Sequence, residues 1–250
     1  MKLGFSKPTR TAAEQDALFA HFRGVGFDGL QLKSSQYRDY LDDPARFRDR
    51  YAMYPGMASG LIHGGKLDDA GIAMLRRLIA FAGAVGAERI ILWPDIARQG
   101  LTDDDIRASA RSMATLGNEA IAAGTRLSLH HHYGQVVMHR GDFDLFFDAV
   151  PDGSVGLTVD TAHLVKSGVE DVAGLIRDFR SVIDNIHTKD YADGEWRVLG
   201  QGEIDFVPIF AAVKEIGYDG WVCADEESGS ELIGAMGACY RFLRDGLSSQ

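Results

Sequence analysis

Four short runs in the second half of the chain end in residues able to bind a metal ion or move a proton. The first is Leu127-Ser128-Leu129-His130-His131-His132-Tyr133-Gly134. Alternation along an extended strand puts His130 and His132 on one face and His131 on the other. Imidazole is a ligand for zinc, manganese, iron and cobalt, although a solvated His-rich turn is the plainer reading of the triplet. The second run, Leu157-Thr158-Val159-Asp160-Thr161-Ala162-His163, sets a carboxylate directly after apolar residues, with a histidine three further on. That pattern suits one metal ligand, Asp160, and one substrate-facing or supporting group, His163. Alternatively, Asp160 only caps a following helix. The third, Asn185-Ile186-His187-Thr188-Lys189-Asp190, puts His187 and Lys189 on a shared face. Lys189 is read as a stabiliser of oxyanion charge, or as a proton donor if burial lowers its pKa, against an ordinary exposed loop lysine. The fourth ends Ala224-Asp225-Glu226-Glu227. Asp225 or Glu227, on one face, completes a site of mixed imidazole and carboxylate donors; taken singly, Glu226 and Glu227 read as solvated surface.

Such runs need a scaffold that gathers strand ends. Apolar β-prone runs alternate with segments of helical period eight times along the chain. The expected strands are Lys2–Ser6, Gly29–Lys33, Met57–His63, Arg89–Trp93, Arg126–His132, Val155–Asp160, Asn185–Lys189 and Gly220–Asp225. The helical segments lie near Ala12–Gly24, Asp43–Ala52, Leu67–Gly86, Asp103–Ala123, Gly141–Val150, Val169–Phe179, Val207–Ile216 and Glu231–Leu243. Ile72, Leu75, Leu78, Ile79 and Ala82 recur at three- and four-residue intervals, which makes one apolar helix face. Gly24, Gly86, Gly124 and Gly217 each follow a helical run and are read as left-handed caps. Repeated βα units mean a parallel sheet, and eight of them favour a closed (β/α)8 TIM barrel of the α/β class, one domain over residues 1–250. A G-x-G-x-x-G after the first strand, the usual sign of a dinucleotide site, is missing. In such barrels the active site lies at the C-terminal strand ends. Gln31, Lys33, His63 and Trp93 also end strands and are read as pocket walls, Trp93 as a platform for a sugar face or, more commonly for such a residue, as core packing.

Bulk composition narrows the partners. The 250 residues are 46% hydrophobic and 25% charged, with six prolines and a formal charge of −10. That balance disfavours a nucleic-acid-binding surface but allows an anionic substrate in a locally basic pocket. Cys223 and Cys239, the two cysteines, fall in apolar runs and are expected as buried thiols. The N-terminus lacks a signal-peptide core, and 18 consecutive apolar residues never occur. The expectation is a soluble cytoplasmic protein with a small carbohydrate substrate, no nucleic-acid partner and no membrane.

These motifs resemble the xylose-isomerase-like barrel superfamily, the sugar phosphate isomerases/epimerases, which also includes the endonuclease IV barrels and inosose dehydratase. The likeness runs over nearly the whole chain and is densest from Leu127 to Glu227. Its signatures are Asp160-x-x-His163, His187-x-Lys189-Asp190, Gly200-Gln201-Gly202-Glu203-Ile204-Asp205-Phe206 and Gly217-Tyr218-Asp219-Gly220-Trp221. The resemblance implies a divalent metal, often manganese, with cobalt, zinc, iron and magnesium as alternatives. It implies His130, Asp160, His187 and Asp225 as the ligands. It also implies His163 and Arg197 as substrate contacts, and Glu203 as support for the loop after the seventh strand; His63 and Trp93 join the substrate-binding set.

The sequence departs from the family's sugar epimerases, which carry glutamates at the positions of His130 and Asp225 and use them to exchange the substrate proton. The His130-His131-His132-x-Gly134 run is instead similar to the inosose dehydratase branch. The resulting expectation is β-elimination on a keto-sugar or keto-polyol, by a dehydratase or a 3-keto-glycoside-cleaving lyase. His132 is the expected base, and His163 or Lys189 the group that stabilises the enolate or protonates the leaving oxygen. An isomerase or epimerase using the same enolate is the alternative. A non-catalytic sugar-binding barrel, or a subunit that needs a partner to complete its pocket, is another; a homo-oligomer or an auxiliary subunit is the partner left open.

Overall fold

The protein is described by a computed structural model covering residues 1–151 and 153–248. The strands are β1 Lys2–Ser6, β2 Gly29–Lys33, β3 Gly60–Gly65, β4 Ile90–Pro94, β5 Leu127–His130, β6 Gly156–Asp160, β7 Ile183–Thr188, β8 Asp190–Ala192, β9 Glu195–Arg197 and β10 Trp221–Asp225. The helices are α1 Ala12–Val25, α2 Ser34–Tyr37, α3 Pro44–Tyr51, α4 Asp69–Val85, α5 Asp103–Ala122, α6 Arg140–Asp148, α7 Thr161–Lys166, α8 Val172–Asp178, α9 Phe206–Glu215 and α10 Leu232–Ser248. Eight strands close a barrel in the order β1-β10-β7-β6-β5-β4-β3-β2, with every pairing parallel. Among the described residues no helix is long and apolar enough to cross a membrane.

Local chemistry explains the element ends. Thr102 caps α5 by accepting from Asp105 N–H while the Asp105 carboxylate returns to Thr102 N–H, a reciprocal satisfaction of orphan donors. Asp43 caps α3, whose first residue is Pro44, where a missing N–H costs nothing. Gly86, Gly124 and Gly217 take positive φ as expected. Gly24 does not: it lies inside α1, and Gly26, at φ 125°, ends that helix instead. The helices bury aromatic and aliphatic faces on the outside of the barrel, with Phe19, Phe22, Phe47, Phe81, Phe143 and Phe146 almost fully enclosed. Each such ring contributes roughly 1.5–3 kcal/mol relative to an exposed one. Cys223 and Cys239 are buried free thiols.

The barrel interior is different. Gln31, Ser128, Thr158 and Asn185 are buried and hydrogen-bonded to one another at mid-height, where branched aliphatic side chains usually fill such barrels. The short helices α2 and α7, the latter beginning immediately after Asp160, have no counterpart among the segments expected from the sequence. Neither has the antiparallel β8–β9 hairpin, turned by Asp193 at φ 53° and Gly194 at φ 82°. Strand β5 also stops at His130 rather than His132, because the following segment is tied sideways to the β4–α5 loop by the Ala97–Gln135 bridge.

Candidate active site

Register brings the ligand-type residues together. Asp160 pairs with His187 across β6 and β7, and His187 pairs with Cys223 across β7 and β10, which sets Asp225 two residues further along the same face. His130 Nε2 is 3.4 Å from Asp160 Oδ2. His187 Nδ1 is 3.8 Å from both Asp160 Oδ2 and Asp225 Oδ2. Asp160, His187 and Asp225 form one compact donor group, and His130, Asp160 and His163 a second that shares Asp160. Asp160 is placed to suit both readings of its sequence. Its Oδ1 caps α7 through Ala162 and His163 N–H, each 3.0 Å away, while Oδ2 faces the histidines.

The buried atoms at this point fit a cation. His187 Nε2 lies 2.7 Å from Gln31 Oε1, an acceptor, so the ring proton sits there and Nδ1 carries a bare lone pair. Nδ1 has no hydrogen-bond partner, and neither has Asp225 Oδ2. Lys189 Nζ is 2.9 Å from Asp225 Oδ2, close enough for an ion pair but off the direction a hydrogen bond needs. A bare nitrogen facing two carboxylate oxygens repels them, and a divalent ion between them removes the repulsion.

One side of the pocket is built from ion pairs. Lys33 Nζ lies 2.6 Å from Asp225 Oδ1 and 2.7 Å from Glu227 Oε1, and Lys189 Nζ lies 2.5 Å from Glu227 Oε2. Glu227 therefore clamps two lysines, while Asp225, not Glu227, belongs to the donor group. Burial works against the charge on Lys189, yet Asp225, Glu227 and Asp160 outweigh it and raise its pKa, so the expected lowering does not occur. Burial likewise opposes ionisation of Asp225, but Lys189, Lys33 and His187 hold it well below the carboxylate range. Nor is Glu226 solvated surface. It is buried, and Lys7 from the β1–α1 loop reaches it at 3.0 Å. Cations from three other strand ends explain why both acids turn inward.

The other side is a run of flat rings. Trp93 stacks on His132 with centroids 5.2 Å apart, His132 packs on His163 at 3.7 Å, and His163 meets Trp196 at 5.0 Å. Trp93 is seated over Gly64, where any Cβ would collide with its ring. His131 points away, its Nε2 accepting from Asp160 N–H at 2.9 Å. Tyr133 orients both pocket histidines through its backbone. Its carbonyl accepts from His132 Nδ1 at 3.2 Å, and its N–H donates to His163 Nδ1 at 3.4 Å. His132 is thus left with a bare Nε2 and His163 with a protonated one. Burial holds His132 down at about 4 and His163 well below its ordinary value, so both are neutral near pH 7.

The remaining sequence candidates are dispersed. His63 is buried within β3, which runs on to Gly65, and its Nδ1 lies 3.4 Å from the Tyr37 hydroxyl. Arg197, half-buried on β9, lies 3.4 Å from Asp193 and borders a small cleft with Lys189 and Asp225. Glu203 is exposed. Its loop is held instead by the Asp190 carboxylate, which accepts from Gly200, Gly202 and Ile204 N–H. Trp196 went unnoticed in the sequence, although the Asp193-Gly194 turn marks a hairpin beside it. Gln31 and Lys33, walls on sequence grounds alone, hold His187 and Asp225. A cleft of about 670 Å³ lies elsewhere, lined by Val169, Tyr191, Ile204 and Pro208.

Comparison with known proteins agrees with this architecture. A family model described as xylose isomerase-like TIM barrel matches residues 19–245. An inosose dehydratase of Lacticaseibacillus casei is 32% identical over 145 residues, 50% of this chain and 48% of that protein. The match thus spans about half the length of this curated relative. An L-ribulose 3-epimerase structure superposes with a TM-score of 0.83 at 22% identity, covering 98% of this chain and 94% of that one. The zinc-bound IolI protein gives 0.82 at 18% identity, covering 99% and 98%. At these identities the two structures speak for the fold.

Proposed function

The chain belongs to the xylose isomerase-like TIM barrel family, and on that premise we propose that it is a metal-dependent lyase acting by β-elimination on a keto-sugar or keto-polyol. The observation that carries this reading is the pair of opposite tautomers at Tyr133. Elimination needs an acceptor for the proton next to the carbonyl and, beside it, a hydrogen-bonding N–H that steadies the charge on the departing oxygen. The bare Nε2 of His132 and the protonated Nε2 of His163 meet that need in one ring stack. The dehydratase name of the curated relative points the same way.

His130, Asp160, His187 and Asp225 would hold the metal. A bound divalent ion would supply Lewis-acid polarisation of the substrate carbonyl. His132 Nε2 takes the proton from the neighbouring carbon, and the C–H electron pair moves into an enolate. The C–O bond one carbon further then breaks as that pair forms the C=C bond. The leaving oxygen departs with the bonding pair and the proton His132 has carried, while His163 Nε2–H hydrogen-bonds it. Lys189 keeps positive charge beside the carboxylates and gives up no proton. Asp225 is no base, because Lys33 engages its second oxygen, which sets the site apart from a two-glutamate epimerase. Trp93 and Trp196 would wall the substrate pocket beside the two histidines, with His63 and Arg197 as further substrate contacts.

Incubation of keto-polyols and 3-keto-glycosides in deuterated water tests the reading. A product lighter by the leaving group is expected. A product of conserved mass apart from deuterium would make the chain an isomerase or epimerase. His132→Ala should lower turnover by about 10²–10⁴-fold with metal content, read by elemental analysis, unchanged; retained turnover would remove His132 from the base role.

A further inference from the structure

The tautomer of His187 can be traced down the barrel axis to a residue on its opposite face. Asp184 Oδ1, an acceptor, lies 2.6 Å from Ser128 Oγ, so the single Ser128 hydrogen points at it. Ser128 Oγ must then accept at its 2.7 Å contact with Thr158 Oγ1, which uses the Thr158 hydrogen. With that hydrogen committed, Thr158 accepts from Asn185 Nδ2 at 3.4 Å. Asn185 is thereby oriented with its amide nitrogen also towards Gln31 Oε1, at 3.2 Å, and its oxygen towards Gln31 Nε2, at 2.7 Å. Gln31 Oε1 is then the atom that faces His187 Nε2, which must carry the proton. With Asp184 ionised beside Arg89, each contact leaves its neighbour one choice, and the side chains from Gln31 to Ser128 are buried, away from competing water.

We infer that Asp184, Ser128, Thr158, Asn185 and Gln31 form a directional hydrogen-bond relay of positioning residues that fixes His187 as its Nε2–H tautomer and presents Nδ1 to the metal. The inference rests on His187 being a ligand, as proposed above, but the relay acts before any metal arrives. It also explains why mid-barrel positions are polar: an aliphatic layer would leave the ring free to hold its proton on either nitrogen. Partners of this kind on ligating histidines typically change metal affinity by about 10–100-fold when removed.

The test is ¹⁵N labelling of histidine and long-range ¹H–¹⁵N correlation on the metal-free full chain, with zinc titration as the second readout. Wild-type protein is expected to show His187 as the Nε2–H tautomer. Thr158→Val, which keeps the shape and does not touch His187, should convert it to a mixture of tautomers. Gln31→Leu should do the same and weaken zinc binding by about 10–100-fold, whereas Gln31→Glu, which keeps an acceptor oxygen, should restore both readouts. Unchanged signals from His21 and His139 and an unchanged circular dichroism spectrum identify folded variants. An Nδ1–H tautomer in the wild type, or an unaltered His187 in both Thr158→Val and Gln31→Leu, would overturn the relay. A wild type with the Nε2–H tautomer that neither binds zinc nor eliminates a leaving group would sink the lyase reading and leave the relay standing.

Discussion

Around Asp160 the pocket divides into a side of neutral rings and a side of paired charges. On the β5–β6 side, His132, His163 and Trp93 stack without an ion pair among them, and burial keeps both imidazoles unprotonated. On the β7–β10–β2 side, Lys33, Lys189, Asp225 and Glu227 sit within 3 Å contacts of one another, and each carboxylate meets both lysines. Both sides are withdrawn from solvent, so burial alone does not explain the contrast. The difference lies in what each side can compensate. The ring side answers desolvation by staying neutral, which leaves nitrogens free for proton transfer. The ionic side answers it with opposite charge, which keeps the carboxylates ionised and fixed in place, Asp225 within the donor group and Glu227 as the clamp on both lysines.

Asp160 joins the two sides, and replacing it should have the largest effect. Asp160→Asn retains a capping oxygen for α7, so thermal stability should hold while metal binding and turnover are lost. Asp160→Ala should lose the same functions and a further ~1 kcal/mol of stability with the cap. Equal stability of the two variants in thermal unfolding would break the assignment of Oδ1 to the helix. Next comes Lys33→Met, which strips one cation from the ionic side. The metal-free protein should lose about 3 kcal/mol, read by urea unfolding, because Asp225 and Glu227 are left partly uncompensated. Added metal should recover part of that loss. An equal loss with and without metal would mean that Lys33 and the ion do not share Asp225.

Smaller effects should sharpen the ring side. Trp196→Ala removes the outer ring of the stack, and KM should rise roughly tenfold with kcat little changed, the size expected for one aromatic contact. A fall in kcat with KM constant would move Trp196 from the wall into the chemistry. The smallest effect concerns Asp142, which anchors the His132 loop. It accepts from Arg98 and from Met138 and His139 N–H. Burial raises its pKa, but these partners outweigh it and bring it below 3.8. A depressed carboxyl adds stability above its unfolded value, and that contribution fades as pH falls through its folded one. The difference in melting temperature between wild type and Asp142→Asn should therefore be full at pH 6 and shrink below pH 3.8; a constant difference would count against it.

Much of the frame was legible because it rests on local rules. The period of apolar residues located the barrel strands to within a few residues, and the alternation of His130, His131 and His132 assigned their faces correctly. What escaped depends on partners far apart in sequence. Glu226 reads as surface until Lys7 is known to arrive from the first strand's loop, and Lys189 reads as a proton donor until Glu227 and Asp225 surround it. Gln31 has no motif of its own; only barrel closure sets it against His187 and Asn185. Trp196 had a local signal in the Asp193-Gly194 turn, but nothing in the sequence says where that hairpin leans.

The placement of Tyr133 between two histidines carries a consequence for how such a site can change over time. Because the orienting contacts come from the main chain, every L-residue except proline supplies them equally well. Position 133 can therefore drift freely in type while the proton inventory of its neighbours stays the same. A screen that trims side chains one at a time would score this position as dispensable. Proline, which has no N–H to offer, would erase half of the asymmetry, making it the one natural substitution through which the position shows its importance.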